Sequence, residues 1–471
     1  TAAQQNEQDI YLFKRDGRKE KADPLKLIKW GEWGRRSLGN RVRWVEIMTE
    51  TIAQIKNGMT TRAVQDLLIK NTLAYGDDAH ARMAGTLYGP TLQKDLYPNG
   101  IPTIKQLQTK LRDLGFMKHL QYTDAEYAQL EAIIDHSIDF DYRHFQIKHI
   151  TRKYAIQNRD TDELYETPQF TFMRMAMEVY SKEPVGKRVE MVREFYSFLA
   201  DNTINAPSPN YISLGTPKSG LMSCCLYKTG DNIGSLNTGD AIAYRMTAIG
   251  AGIGGMIATR GLGEPVRNGS IVHQGKQPYY AIKGKAVKGN IQSGRAGAAK
   301  TEYNIFDVEA YQIAGLQNPR TPATRRNRDM HFAVQYHSLF IKKALLNEDI
   351  FTFSVRSAPD LFQAFYGPDK KKFEELYAKY EADEKFVKNY VNARDLLLMV
   401  ARQGPEVGTH YEFYSDNVNY NTPYKEPIFC SNLCVAPETM LLTDKGEFEI
   451  ESLIGQTVNV WNGERLSETT V

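Results

Sequence analysis

Apolar residues recur every three or four positions through most of the first 205 residues, a spacing typical of amphipathic helices. The spacing predicts such helices over four segments: 25–33, 43–55, 61–73 and 189–199. Ahead of them, the short runs 11–13 and 19–22 flank an Asp-Gly turn, which predicts a β-hairpin. Thr123 and Glu126 form a capping box that predicts the start of another helix. We therefore expect the first 205 residues to be mainly helical.

The pattern changes where glycine and proline become frequent, over 207–220. Beyond this stretch the chain alternates between predicted helices, at 340–346, 373–380 and 391–401, and short predicted strands, at 257–259 and 351–353. Such alternation favours an α/β fold. After Cys434, two turn signals, Asp444-Lys445-Gly446 and Asn462-Gly463, lie between alternating segments, so the last 38 residues are predicted to form a small all-β piece.

Composition narrows the class of protein. With 42% hydrophobic and 24% charged residues, the chain is typical of a folded globular protein rather than a disordered, collagenous or coiled-coil one. A net charge of +3 and the lack of an aromatic-basic platform argue against a nucleic-acid-binding protein. The sequence shows no run of 18 apolar residues and no signal peptide, so we expect a cytoplasmic protein without a membrane span. Its four cysteines are too few for a secreted disulfide framework.

Two glycine-rich stretches invite a nucleotide-binding interpretation. Residues 250–255 satisfy G-x-G-x-x-G, but a helix is predicted before them and a strand after them, the reverse of the dinucleotide fingerprint. We interpret them as a helix-to-strand turn that permits close backbone approach. Residues 283–300 combine five basic residues with four glycines and no acid, which suits either a phosphate site or a solvated surface loop. Cys430 and Cys434 alone are weak evidence for zinc, and no metal site is predicted.

Taken together, several motifs resemble the large subunit of class I ribonucleotide reductase. They are KRDG at 14–17, QNRDTDELYE at 157–166, the Ser-Cys-Cys to Gly-Asp stretch at 223–231, AGIG at 251–254, the loop around Arg295, FEELYAKYE at 373–381 and SNLC at 431–434. They are collinear over about 90% of the chain. The resemblance implies an ATP-cone at 1–98, a helical region at 99–206 and the first half of a ten-stranded α/β barrel at 207–433.

The resemblance also implies roles for individual residues. Cys224 is similar to one of the two thiols that reduce the substrate and Asn432 to the asparagine that hydrogen-bonds the ribose, whereas Cys225 has no counterpart and is interpreted as structural. The other residues fall into three groups: substrate contacts at Ser208, Ser223 and Gly252 with the communicating loop residue Arg295; specificity-nucleotide contacts at Asp231, Asn232, Ile233, Arg260 and Arg267; and ATP-cone contacts at Lys14, Arg15, Glu20, Lys26 and Thr61.

The implied reaction converts ribonucleoside diphosphates to deoxyribonucleotides. Removal of the 2′-hydroxyl requires a thiyl radical and two further thiols, a chemistry that suits cysteine in a reducing compartment. No cofactor is expected in this chain itself. The implied effectors are ATP, dATP and deoxynucleoside triphosphates, and the radical would come from a metal-containing small subunit. The implied partners are thioredoxin or glutaredoxin, the C-terminal half of the large subunit, and a second copy in a homodimer.

The sequence departs from this family at Cys434. The family pattern Asn-Leu-Cys-x-Glu reads Asn-Leu-Cys-Val-Ala at 432–436, and the rest of the barrel does not follow, so we expect the chain alone to be inactive. Residues 434–471 instead resemble the N-terminal block of an intein, with Cys434 as the nucleophile that attacks the Leu433 carbonyl. The complementary C-intein would lie on the C-terminal half.

Alternatives remain at this point. Cys434 is either the intein nucleophile, which the sequence favours, or the catalytic thiyl residue of a two-piece reductase held together non-covalently, with a vestigial intein tail. A non-catalytic nucleotide-binding regulatory module is a further alternative. The presence of Cys224 and Asn432 favours the enzyme, because a binding module needs neither residue.

Overall fold

The structure is a computed structural model that describes residues 9–218, 220–290, 298–408, 410–432, 440–443, 446–449, 457–461 and 466–470. Arg295, Leu433 and Cys434 lie outside the described residues. The chain forms two compact units, Thr1–Leu221 and Met222–Val471, so the segment 207–221, which we predicted to begin the barrel region, lies in the first.

The first unit is mainly helical, as predicted. It opens with the antiparallel hairpin β1 (Tyr11–Phe13) and β2 (Lys19–Lys21), and it holds a second short strand pair, β3 (Gln157–Asn158) and β4 (Glu163–Leu164). Its helices are α1 (Pro24–Gly34), α2 (Trp44–Ala53), α3 (Thr61–Leu73), α4 (Asp78–Leu96), α5 (Ile104–Asp113), α6 (Asp124–Glu131), α7 (His144–Lys153), α8 (Pro168–Val179), α9 (Arg188–Ala200) and α10 (Ser208–Ser213). Two 3₁₀ turns occupy Gly39–Arg41 and His136–Phe140.

Side-chain caps explain where several of these helices begin. The Thr60 hydroxyl accepts a hydrogen bond from the Ala63 amide at 3.0 Å and starts α3. The predicted capping box is present at α6, where Thr123 and Glu126 satisfy each other's backbone amides. Glu126 is also buried against Arg188 at the start of α9, with two contacts of 2.6 Å. The capping residue therefore joins two helices of the same core.

The second unit is an α/β domain, as predicted. Its strands are β5 (Cys224–Thr229), β6 (Gly252–Ile257), β7 (Pro265–Val266), β8 (Ile271–Val272), β9 (Ala298–Asn304), β10 (His331–Tyr336), β11 (Asp349–Thr352), β12 (Asn389–Asn392) and β13 (His410–Tyr414). Its helices are α11 (Ile233–Ala248), α12 (Gln277–Gly289), α13 (Ala310–Ala314), α14 (Ser338–Leu346), α15 (Pro359–Phe365), α16 (Lys370–Ala382), α17 (Ala393–Val407) and α18 (Ser415–Asn421).

Five of these strands form one parallel sheet in the order β13-β10-β9-β6-β5, so β5 and β13 are its edge strands among the described residues. Parallel neighbours need a crossover connection, and helix α11 supplies it between β5 and β6. Aromatic residues such as Phe306, Phe332 and Phe340 are fully buried in the core between sheet and helices.

The structure corrects our interpretation of the glycine motif. Gly250 is in a turn with φ of +83°, but residues 252–255 belong to strand β6. The strand therefore begins earlier than the predicted segment 257–259, because glycines that lack side chains carry no apolar signal. The predicted close backbone approach is present, since a Cβ at Gly254 would overlap the Ser431 carbonyl.

The end of the chain contains strands β14 (Met440–Thr443), β15 (Gly446–Glu449), β16 (Thr457–Trp461) and β17 (Leu466–Thr470). They form an antiparallel sheet in the order β15-β14-β16-β17. Thr443 pairs with Gly446 and Trp461 with Leu466, whereas residues 444, 445, 462 and 463 of the two predicted turn signals lie outside the described residues. None of the described helices has the length and apolar character needed to cross a membrane.

Candidate functional site

Cys224 and Gly252 lie at one end of strands β5 and β6, and the predicted effector residues Asp231 and Arg260 follow the other end of these strands. Cys224 pairs with Gly252 at the start of β5 and β6, and Thr229 pairs with Ile257 at their far ends. Asp231 follows the far end of β5. At a rise of about 3.3 Å per residue, the two ends are about 17 Å apart.

At the start of the strands, the structure brings four predicted residues together. The Gly252 amide donates to the Ser223 carbonyl at 2.7 Å. The Asn432 Nδ2 donates to the Gly252 carbonyl at 2.8 Å. Cys224, directly after Ser223, is a half-buried free thiol. A thiol and a side-chain amide therefore lie beside one glycine, and the Asn432 amide packs where a side chain of residue 252 would begin.

Cys225 has different surroundings. Successive side chains of a strand point to opposite faces of the sheet, so Cys225 faces away from Cys224. Its Sγ lies 3.2 Å from the Met222 Sδ, and it packs against the core. Burial, with Cys224 beside it, raises the pKa of the Cys225 thiol. These contacts agree with a structural residue.

Of the other two predicted substrate residues, one belongs to the first unit and one lies outside the described residues. Ser208 lies in the first unit, where its hydroxyl is 3.0 Å from the Tyr154 hydroxyl. Arg295 lies outside the described residues, as does Cys434.

Asn432 is carried by residues 428–432, which we call the inner segment. Its beginning is held by Asn419, whose Oδ1 accepts from the Ile428 amide at 2.7 Å and whose Nδ2 donates to the Ile428 carbonyl at 3.0 Å. In the middle, Cys430 is buried, and its thiol lies 3.6 Å from the Tyr227 carbonyl. Burial raises the pKa of Cys430 to about 12, so this cysteine stays a neutral thiol at physiological pH.

Sequence reasoning missed the polar group beneath the inner segment. Glu302 accepts hydrogen bonds from the Ser431 amide at 2.6 Å and from Gln335 Nε2 at 2.8 Å. Lys300 Nζ lies 2.8 Å from both the Ser431 hydroxyl and Glu302 Oε1. Tyr366 donates to Gln335 Oε1 at 2.5 Å. The available signal was a lysine and a glutamate two positions apart in an otherwise neutral strand.

The same contacts correct our interpretation of residues 283–300 as one basic loop. Residues 283–289 belong to helix α12, and Lys300 belongs to β9. Lys283 is buried and paired with Asp240, and Lys288 pairs with Asp329 at 2.9 Å. These lysines are bound to carboxylates rather than presented together to a phosphate.

At the far end of β5 and β6, Asp231 and Arg260 form an ion pair. Arg260 places Nε 2.9 Å and a terminal nitrogen 2.8 Å from Asp231 Oδ2, and its backbone amide donates to Oδ1 at 3.1 Å. The hydrogen bond with Asp231 raises the pKa of Arg260. Asn232 caps α11 through the Ser235 amide, and the Ile233 side chain that follows is 71% exposed.

Arg267 lies on the turn between β7 and β8, and its φ is +50°. In the sequence this turn comes soon after the far end of β6. The Arg260 guanidinium contacts strand β7, since it donates to the Pro265 carbonyl at 2.7 Å. The Asp231–Arg260 ion pair is therefore joined to the short hairpin that carries Arg267.

All five predicted ATP-cone residues line one pocket in the first unit, with a volume of about 780 Å³. Lys14 and Lys26 both bind Glu20, the former at 2.8 Å, and these contacts lower the pKa of Glu20 to about 2. Trp30 lies in the wall and donates to Gln65 at 2.7 Å. The lining carries more lysines and arginines than carboxylates, which suits a polyanion.

Comparison with known proteins decides the family. A model described as the ribonucleotide reductase barrel domain matches residues 222–451, and one described as the ribonucleotide reductase all-alpha domain matches residues 140–219. Over these residues the chain belongs to the ribonucleotide reductase family. The barrel-domain match begins where the second compact unit begins, and it runs past our predicted boundary at 433.

Relatives of this reductase-family chain are large subunits from bacteria and a phage. The ribonucleoside-diphosphate reductase 1 subunit alpha of Escherichia coli K12 is 30% identical over 442 residues, which cover 91% of this chain and 58% of the relative. The corresponding subunit of Buchnera aphidicola from Schizaphis graminum is 31% identical, over 90% of this chain and 57% of the relative. That of Enterobacteria phage T4 is 30% identical, over 90% and 58%. The chain thus spans somewhat more than half the length of these curated relatives.

Proposed function

We propose that this chain supplies the first part of the large subunit of a class I ribonucleoside-diphosphate reductase. The observation that carries the proposal is the arrangement at the start of β5 and β6, where Cys224 lies beside Gly252 and Gly252 accepts a hydrogen bond from Asn432. A regulatory module without catalysis would need neither the half-buried free thiol nor the amide.

In this proposal Cys224 is a reductant. Together with a second thiol from the remainder of the barrel, it gives up two electrons and two protons and forms a disulfide, while the ribonucleotide loses its 2′-hydroxyl as water. Thioredoxin or glutaredoxin then restores the dithiol. Asn432 orients the ribose, and a metal-containing small subunit supplies the radical.

The test is turnover by this chain assembled with the remainder of a large subunit and with a small subunit. Cys224→Ser should abolish multiple turnover with thioredoxin and leave nucleotide binding nearly intact. Cys225→Ser is the matched control, because its thiol faces the other side of the sheet, and it should retain most of the activity. Many turnovers by Cys224→Ser would contradict the role of Cys224. Nucleotide binding without turnover in the parent assembly would favour the regulatory module.

We further propose that the effector and ATP-cone residues regulate this activity. Deoxynucleoside triphosphates would bind around Asp231 and Arg260 in a homodimer, and ATP or dATP would bind in the pocket that contains Lys14, Lys26 and Glu20. The basic lining of that pocket supports a triphosphate ligand.

We also propose that residues 434–471 are an intein N-fragment. The four short antiparallel strands β14 to β17 support this proposal, since inteins are β-rich. Cys434 would attack the Leu433 carbonyl to form a thioester, which the first residue of the partner segment captures.

Mass spectrometry after mixing with a C-intein partner tests this proposal. Splicing should give one continuous chain that carries Asn432, and an added thiol with the C-intein piece alone should release a product of about 433 residues. Cys434→Ala should block both reactions. An active two-piece enzyme in which Leu433 and Cys434 stay joined would make the tail a remnant and Cys434 the thiyl residue.

A further inference from the structure

A buried charge pair lies beneath the inner segment. Lys300 and Glu302 are two residues apart on β9, so their side chains project from the same face of the sheet. Their side chains are 7% and 0% exposed, and Lys300 Nζ lies 2.8 Å from Glu302 Oε1. Burying two charges carries a large desolvation cost, so such a pair is weak evidence for stability by itself. The role of the Lys300–Glu302 pair is therefore indicated by the groups that it binds.

Both members of the pair bind Ser431. The Ser431 amide donates to Glu302 Oε1 at 2.6 Å, and the hydroxyl donates to the same oxygen at 2.9 Å. The hydroxyl also accepts from Lys300 Nζ at 2.8 Å. The backbone and the side chain of one residue are thus fixed by two charges, and hydrogen bonds to charged groups are shorter and stronger than neutral ones.

Gln335 extends the anchor to a second residue of the inner segment. Its Nε2 donates to Glu302 Oε2 at 2.8 Å and to the Phe429 carbonyl at 2.6 Å. On the neighbouring strand β6, Gly254 pairs with Lys300, and a Cβ at Gly254 would overlap the Ser431 carbonyl, so the segment lies directly against the sheet there. The segment is therefore held against strands β6, β9 and β10 immediately before Asn432.

We propose that Lys300 and Glu302 are positioning residues that fix Asn432 through Ser431. Asn432 follows the anchored residue directly, and its amide reaches Gly252 at 2.8 Å, so a shift of Ser431 moves that amide. The Glu302 carboxylate has two acceptor oxygens and accepts from Ser431, Lys300 and Gln335. A glutamine at position 302 has one acceptor oxygen, so a neutral residue does not replace the charged one. The proposal rests on the function proposed above for Asn432.

The anchor is tested first on this chain alone, with Cys430 as the reporter. Cys430 is adjacent to Ser431 and only 5% exposed, so it reacts with an alkylating reagent when the inner segment opens. Lys300→Met should raise the alkylation rate of Cys430, and the hydrogen-exchange rate of the 428–432 amides, by about tenfold or more, because it leaves a buried carboxylate without its counter-charge.

Two further variants keep this test decisive. Ser431→Ala removes only the hydroxyl contacts and should give a smaller rise in the alkylation rate of Cys430. This variant should fold even if Lys300→Met does not. Lys288→Met is the matched control, since it breaks an exposed pair with Asp329 in the same unit and should leave Cys430 protected. Unchanged Cys430 protection in both Lys300→Met and Ser431→Ala would overturn the anchor.

The positioning role is tested in the assembled enzyme. Lys300→Met and Ser431→Ala should lower kcat more than they change KM, and Lys300→Arg should recover part of kcat together with Cys430 protection. An exposed Cys430 with unchanged kcat would overturn the role. Inactivity of the parent assembly would refute the proposed function of Asn432, whereas the Cys430 experiment would still decide whether the charge pair holds the segment.

Discussion

Asp139 gives the sharpest prediction about stability. It lies on the 3₁₀ turn His136–Phe140, is 1% exposed, and accepts a hydrogen bond from Gln169 Nε2 at 3.0 Å through Oδ1. Among the described residues its Oδ2 has no hydrogen-bond partner. Burial raises the pKa of Asp139 to about 7, and the Gln169 amide offsets only part of this effect. Below about pH 7 the folded protein therefore holds Asp139 as a neutral acid.

The sign and size of the pH effect on stability follow from the linkage between proton binding and folding. The unfolded chain releases the Asp139 proton near pH 3.8, whereas the folded protein holds it until about pH 7. Between these values the folded state binds one more proton, so the free energy of unfolding falls as pH rises. Over about three pH units at 1.36 kcal/mol each, the loss is about 4 kcal/mol and is complete above pH 7.

Asp139→Asn removes this titration and keeps a neutral amide in place of the acid. The variant should match the parent near pH 4 and exceed it by up to about 4 kcal/mol at pH 8. Urea unfolding at several pH values measures this difference by tryptophan fluorescence, because Trp30, Trp33 and Trp44 all lie in the first unit.

Asp135→Asn is the control. Hydrogen bonds from Ser137 lower the pKa of Asp135, so this carboxylate is charged throughout the range from pH 5 to 8 and its stabilisation is lost only at lower pH. Asparagine caps a turn equally well, so the control should run parallel to the parent. If Asp139→Asn also runs parallel to the parent from pH 5 to 8, Asp139 is not a buried acid with a raised pKa.

Three other changes have defined outcomes. Gly254→Ala should destabilise the second unit by about 1–3 kcal/mol in urea unfolding and expose Cys430 to alkylation, because the added Cβ overlaps Ser431. The control is Gly404→Ala in α17, where the added Cβ meets open space. It should stabilise the protein by about 0.5–1 kcal/mol. Arg260→Ala should weaken deoxynucleoside triphosphate binding about tenfold by calorimetry on the assembled enzyme, and unchanged affinity and substrate preference would refute the effector site. Lys26→Met should weaken ATP binding to the first unit severalfold, and equal affinity would place ATP elsewhere.

The first unit shows which elements sequence patterns reveal. Helix α3 was predicted with its observed ends, because its apolar residues recur on one face. Helix α4 gave no comparable signal, because it is buried on nearly all sides and a helix buried all round has no apolar stripe. Gly85 of α4 lies against the Tyr142 backbone, a close approach between residues far apart in the chain.

The candidate site likewise contains residues that the sequence reveals and residues that only the structure reveals. Cys224 and Asn432 were singled out through the resemblance of the motifs around them, not through spacing, since 208 positions in the numbering separate the two. Lys300 was misassigned to a basic loop because the sequence shows the basic residues around it and does not show that it contacts Ser431. Ser431 lies 131 positions away, and only the fold of the parallel sheet brings the two side chains together.

The two edge strands of the parallel sheet, β5 and β13 among the described residues, bear on aggregation of this protein. Edge strands present unpaired backbone groups that pair readily with other chains. β5 carries one charged residue, Lys228, and its Leu226 side chain is 54% exposed. Because β5 is an edge strand among the described residues, two copies of this chain can pair there, and we expect the soluble yield to fall as the protein concentration rises.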